Sequence, residues 1–161
     1  MNTSTGETIV VVEDEARVRF LVGRALVKAG YDVLEAPDAR TGFRLVEAHA
    51  GRVRLLVTDV VMPRGSGRHL YEQVRRIQPH LPILFMSGYP DETVALEGRA
   101  EAGTGFLRKP FSPEQLRAKV RAMLDSDVVG RQSARTRFRT PTAGDGTLRR
   151  LPDQQACQSS G

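Results

Sequence analysis

Read as a string of apolar and polar positions, residues 8–125 alternate between two kinds of segment. The runs Thr8–Val12, Val53–Asp59 and Ile83–Ser87 are rich in branched residues with little polar interruption, which predicts strands buried on both faces. Tyr31–Ala36 and Phe106–Arg108 are mixed or short and predict edge strands. Between the runs, apolar residues recur three and four positions apart, the spacing of one-faced helices. Glu15–Ala29 carries Val18, Leu21, Val22, Ala25 and Ala29 on one stripe, and Gly30 is its natural stop. Pro37-Asp38 opens a helix with Ala39, Phe43 and Val46 inward. A third helix, after the loop Arg64–Gly67, carries Leu70, Val74 and Ile77. Pro90–Ala102 predicts a poor helix with a thin apolar face, and its Gly98 costs about 1 kcal/mol against alanine. The last helix starts with Ser112 as N-cap and Pro113 at the first helical position, and buries Leu116, Val120, Met123 and Leu124.

Five strand-helix units in alternation imply a doubly wound α/β fold, a parallel sheet with helices on both faces. The first, third and fourth strands are central by their apolarity, and the second and fifth are edges. The order 2-1-3-4-5 satisfies this and reverses direction between strands one and three, where such sheets bind ligands. Composition adds little: 161 residues with 40% hydrophobic content suit one domain. No apolar run is long enough to span a membrane, and MNTSTGET lacks the pattern of a secretory signal. Cys157 is the single cysteine, so an internal disulfide is excluded and a reducing, cytoplasmic setting is expected. The periodicity ends near Ser126. The expected organisation is therefore a disordered N-terminus over 1–7, a folded domain over 8–126 and a disordered basic tail over 127–161.

Charge changes the picture only in that tail. The net charge is +5, but residues 1–126 carry 18 basic and 16 acidic side chains, against 6 arginines and 3 aspartates in residues 127–161. Only Phe138 interleaves Arg131, Arg135, Arg137 and Arg139, which argues against a nucleic-acid partner. His49, His69 and His80 are scattered and read as surface residues.

The chemistry collects where the strands end. Glu13 and Asp14 follow the first strand, Asp59 ends the third, Ser87 the fourth, and Lys109 follows the fifth. A parallel sheet brings these to one edge. Three carboxylates together repel unless a cation or proton is shared. Few protein oxygens, with room for water and phosphate, suit Mg²⁺ better than Ca²⁺. Asp59 is then a carboxylate nucleophile for a phosphoryl group, with Lys109 and Ser87 each holding a phosphoryl oxygen. The blander alternatives are that each acid caps the next helix, which suits Asp14, and that Lys109 pairs with a surface acid.

The motifs VVEDE (Val11–Glu15), TDVVMP (Thr58–Pro63), MSGYP (Met86–Pro90) and FLRKPF (Phe106–Phe111), in this order and each at a strand end, resemble the receiver domain of two-component response regulators, over residues 8–125. The resemblance implies a flavodoxin-like, CheY-like (βα)5 fold. It implies that Asp59 accepts a phosphoryl group from a histidine kinase or histidine phosphotransfer protein. It implies Mg²⁺ on Asp14 and Asp59, with Glu13 nearby and the backbone carbonyl of Val61 as a further ligand. Ser87 and Phe106 become the switch pair, Lys109-Pro110 a cis bond, and the face of the fourth helix, fifth strand and fifth helix the surface for a downstream protein. Such a module is no general enzyme. It catalyses only its own phosphorylation and slow dephosphorylation, and a phosphorylation-dependent homodimer is an open outcome.

Two departures stand out. Glu13 replaces a more usual aspartate and is expected to reach the metal through water; Gly65 replaces a larger apolar residue and suggests a looser loop after the third strand. The resemblance also implies that the residues two beyond the acceptor and two beyond the hydroxyl residue, here Val61 and Tyr89, flank the approach of water to Asp59, which predicts slow loss of the phosphoryl group. Two rivals remain. A Mg²⁺-dependent aspartyl phosphohydrolase commonly has a second acid two residues beyond the first, where Val61 stands. A flavin or nucleotide carrier needs a phosphate loop after the first strand, where Glu13, Asp14 and Glu15 repel phosphate.

Overall fold

The computed structural model describes residues 5–91, 95, 98 and 101–137, the side chains of 128–137 excepted. Its elements in chain order are β1 (Thr8–Val12), α1 (Ala16–Lys28), β2 (Asp32–Ala36), α2 (Ala39–Ala48), β3 (Val53–Asp59), β4 (Val61–Met62), β5 (Gly65–Ser66), α3 (Gly67–Ile77), β6 (Ile83–Ser87), β7 (Thr104–Arg108) and α4 (Pro113–Arg137). The main sheet runs β2-β1-β3-β6-β7, all parallel. With the short β4–β5 pair set aside, this is the order expected from strand apolarity.

The two-residue period of the strands divides the core in two. Val10, Val12, Leu56 and Phe85 point to α2 and α3, where Ala39, Val46, Leu70 and Val74 meet them. Ile9, Val11, Leu55, Val57, Leu84 and Met86 point the other way, to Val22 and Leu26 of α1 and Leu116, Val120 and Leu124 of α4. That is why the central strands read as unbroken apolar runs: both faces are covered. All five residues of β1 and of β6 are buried, whereas in the edge strand β7 only Gly105 is.

The helix starts follow from local chemistry. Asp38 accepts from Thr41 N at 2.7 Å, and Ser66 from His69 N at 3.1 Å, each satisfying an amide that a helix start leaves open. Ser112 and Gln115 form a reciprocal box, Gln115 N donating to Ser112 Oγ and Ser112 N to Gln115 Oε1. Asp14 is no cap: α1 begins after Glu15 with no side-chain cap at all.

Four expectations need correction or restriction. Residues 5–7 are tied down, not loose: Thr5 N donates to Gly30 O, Asp32 N to Glu7 O, and Glu7 pairs with Arg121 at 3.6 Å. The domain boundary expected after Ser126 falls inside α4, which runs on to Arg137. A helix fed by a packed stem propagates at little cost, so apolar periodicity is not required there. Residues 138–161, the rest of the expected tail, lie outside the described residues. Of the expected helix over 90–102, Pro90, Asp91 and Ala95 are helical and Gly98 sits in a turn; most of the others lie outside the described residues. The loop after β3 is not loose. Val61 pairs with Ser66 and Met62 with Gly65 in an antiparallel turn, and Gly65 has φ +104°, a conformation that side chains with a Cβ rarely adopt. Among the described residues, no helix is long and apolar enough to cross a membrane.

Candidate functional site

Register assembles the site. Val12 pairs with Thr58, so the next residues, Glu13 and Asp59, emerge side by side at the carboxyl edge of the sheet. Asp59 pairs with Met86, which leaves Ser87 one residue further on; Ser87 pairs with Arg108, and Lys109 N donates to Ser87 O at 2.7 Å. Five side chains from four separate segments therefore share one edge by strand pairing alone.

Carboxylate oxygens of Glu13, Asp14 and Asp59 all lie within 4.8 Å of one another. Glu13 is buried, with 1% of its surface exposed, Asp59 is partly buried and Asp14 is exposed. Lys109 Nζ lies 2.8 Å from Glu13 Oε2 and 3.2 Å from Asp59 Oδ2. Its partner is thus not a surface acid, and its shorter contact is to the glutamate. Burial pushes the Glu13 carboxyl up, and neighbouring Asp59 adds to this; the Lys109 ammonium and Glu15 N, which donates to Oε1 at 3.2 Å, act against it. For Lys109 burial alone would favour the neutral amine, but the bond to Glu13 and the charge of Asp59 outweigh it and hold the ammonium up. Three acids against one ammonium leave the cluster short of positive charge, which is the condition a hard cation relieves.

Ser87 and Phe106 sit apart from the acids in what they touch. Ser87 Oγ is occupied locally, donating to Tyr89 O at 3.1 Å and accepting from Tyr89 N at 3.2 Å. Phe106 is half-buried and stacks on Phe85 with ring centres 5.6 Å apart. Val61 and Tyr89 are exposed by 48% and 64%. The Lys109-Pro110 bond is cis. His69 and His80 lie at the surface and His49, half-buried, bonds Leu45 O; none approaches the acids closely enough to join their cluster.

Two supports of the site escaped the sequence reading. Arg19 Nη1 donates to the backbone carbonyl of Glu13 at 2.8 Å and fixes the β1–α1 turn; its place one helical turn after Glu15 was the available signal. Gly67 N donates to Val60 O at 2.9 Å, and a Cβ on Gly67 would stand 2.1 Å from the carbonyl oxygen of Asp59. Only glycine lets α3 begin that close to the acceptor residue. Its signal was a glycine directly after the capping serine, in a stretch that reads as plain loop.

Known proteins resemble this chain in sequence and fold. The profile described as "Response regulator receiver domain" matches residues 9–121. The sensor kinase CckA of Brucella abortus is 39% identical over 122 residues, 76% of this chain and 13% of that protein. The DNA-binding transcriptional regulator NtrC of Rhizobium meliloti is 37% identical over 112 residues, 70% of this chain and 23% of that protein. The chain thus spans less than a quarter of either relative. Among solved structures, the receiver domain of the hybrid histidine kinase CckA is 36% identical with a TM-score of 0.64, covering 73% of this chain and 98% of that one. The chemotaxis protein CheY4 of Vibrio cholerae is 30% identical, also at 0.64, with the same coverage. A profile that runs through every strand bearing the acids, the hydroxyl and the ammonium leaves one conclusion, that this chain belongs to the response regulator receiver domain family.

Proposed function

We propose that this chain receives a phosphoryl group on Asp59 from a histidine kinase or histidine phosphotransfer protein, in a Mg²⁺-dependent reaction, and passes the event to a partner protein through its edge strand and the adjoining helices. The observation that carries this reading is the cluster of three carboxylates, oxygens within 4.8 Å, with one ammonium 3.2 Å from Asp59. Asp14, Asp59 and Glu13, with the backbone carbonyl of Val61, would hold the cation. When bound, it neutralises charge on the phosphoryl oxygens. Both Glu13 oxygens already accept hydrogen bonds, one from Lys109 and one from Glu15 N, which supports a contact through water.

The transfer asks little covalent chemistry of the protein beyond position. A carboxylate oxygen of Asp59 attacks phosphorus as the bond to the donor imidazole nitrogen breaks, and that nitrogen keeps the electron pair. Lys109 moves from the carboxylates toward a phosphoryl oxygen. Ser87 exchanges its bonds with Tyr89 for another, and Phe106 follows into the space released. The donor has an apolar landing at hand, since Phe20 and Leu21 of α1, the helix leading away from Asp14, are exposed by 56% and 58%. The setting proposed is cytoplasmic, supported by the lone Cys157.

The test is incubation with a small phosphodonor, with and without Mg²⁺, followed by intact-mass measurement. Wild type gains one phosphoryl group only with Mg²⁺, and Asp59→Asn gains none. Equal labelling of Asp59→Asn would overturn the reading.

A further inference from the structure

Phe106 belongs to a column of rings. It stacks on Phe85 of β6, planes 16° apart, and Phe85 meets Tyr71 of α3 at 5.8 Å between centres, tilted by 59°. The column thus crosses from the edge strand over β6 to a helix packed on the same face of the sheet. Its far end is tied to residues 101–104, which lead into β7. The Tyr71 hydroxyl donates to the Glu101 carboxylate. Arg75, one turn along α3, lies over the Tyr71 ring at 4.9 Å and donates through Nη2 to Ala102 O at 2.8 Å. Thr104 folds the same segment on itself, its Oγ1 and backbone N both donating to Glu101 O. Burial, and then the Glu101 carboxylate, push the Tyr71 phenol up, so its hydroxyl stays a donor at working pH.

We propose that Tyr71 is a third member of the switch: a positioning residue whose ring backs Phe106 through Phe85 and whose hydroxyl latches residues 101–104 to α3. This rests on the reading of Ser87 and Phe106 as the switch pair. Packed rings shift between discrete arrangements and do not deform smoothly. If Phe106 leaves the stack, Phe85 loses one face and Tyr71 adjusts, which draws its hydroxyl from Glu101. The segment entering β7 is then released at the moment the ring on β7 moves. Such coupling is reciprocal: what opens the latch also favours the switched arrangement.

The experiment uses the full chain with beryllofluoride and Mg²⁺ as a phosphoryl analogue. Amide exchange over 101–108 and analogue affinity are read in wild type, Tyr71→Phe, Tyr71→Leu and Phe106→Leu. Tyr71→Phe keeps the ring and removes only the hydroxyl, so it tests the latch without a cavity. In wild type the analogue speeds exchange at 101–104 severalfold. Tyr71→Phe shows fast exchange there without the analogue and binds it about fivefold more tightly, within the usual range of coupling between sites. Wild-type exchange and wild-type affinity in Tyr71→Phe would overturn the proposal, as would a wild-type segment that ignores the analogue. A wild-type response in Phe106→Leu would sink the underlying switch reading instead, and equal analogue binding by Asp59→Asn the phosphoacceptor reading.

Discussion

The centre and one edge of the main sheet differ in how they are built. At the centre, β1 and β3 are covered on both faces and deliver Glu13 and Asp59 from positions with no room to shift. At the edge, β7 has one buried residue, Gly105, and a half-buried ring, Phe106. Coverage of the first kind fixes geometry, and a sparsely covered edge has the lower local stability. One strand alphabet therefore yields two differently held regions, and the difference comes from both coverage and pairing: β1 and β3 are each bonded to a neighbour on both sides, β7 to β6 alone.

The sharpest way to break the comparison is the same substitution in each region. Gly67→Ala drives a methyl against the Asp59 carbonyl, a backbone atom that cannot step aside, and should cost about 3 kcal/mol and abolish phosphorylation. Gly105→Ala meets Met123 Sδ at 2.5 Å, the far part of a flexible side chain, and should cost under about 1 kcal/mol. Equilibrium urea unfolding measures both. Equal losses would mean the edge is as rigid as the centre.

A smaller effect separates charge from packing. Glu13 has its carboxyl pKa raised by burial, so its contribution to stability is full below the unfolded value of 4.5 and is lost as pH rises through the higher folded value. Without metal, Glu13→Gln should therefore match wild type at low pH and melt a few degrees higher at neutral pH. Lys109 does not interfere, because its raised pKa places its own loss above 10.5. Mg²⁺ at ten times its dissociation constant should then stabilise wild type by about 1.4 kcal/mol, and Asp14→Asn by less. A wild-type melting curve that is flat between acid and neutral pH would contradict the raised carboxyl pKa of Glu13.

The smallest effect lies at the solvent side of the site. Loss of the phosphoryl group, followed after donor removal, should be severalfold faster in Val61→Asn, which can orient water, and in Tyr89→Ala, which uncovers the approach. Slower decay in Tyr89→Ala would show that the phenol orients the water.

Much of this was readable from the chain. Coverage on both faces writes itself into Thr8–Val12 and Ile83–Ser87 as apolar runs, so strand order and the meeting of Glu13, Asp14 and Asp59 followed from sequence. What did not follow depends on distances between segments far apart in the chain. No spacing tells Lys109 to prefer Glu13 over Asp59, or Tyr71 to reach Glu101 thirty residues away. The β4–β5 turn was hidden by its brevity, two residues a side, and Gly65 read as looseness where its positive φ closes a tight turn. The end of α4 was missed because amphipathic spacing marks where a helix packs, not where it stops.

That last helix has a mechanical consequence. Leu124, 2% exposed, is the last buried residue of α4 among those whose side chains are described, and the helix backbone continues to Arg137. Thirteen further residues at 1.5 Å each carry the axis about 20 Å beyond Leu124. Over that length a tilt of about 5° at the sheet corresponds to roughly 2 Å at the end of the axis. The fulcrum is the edge strand itself, because Met123 and Lys119 rest on Gly105. By that geometry a small rotation at β7 corresponds to a larger displacement at Arg137.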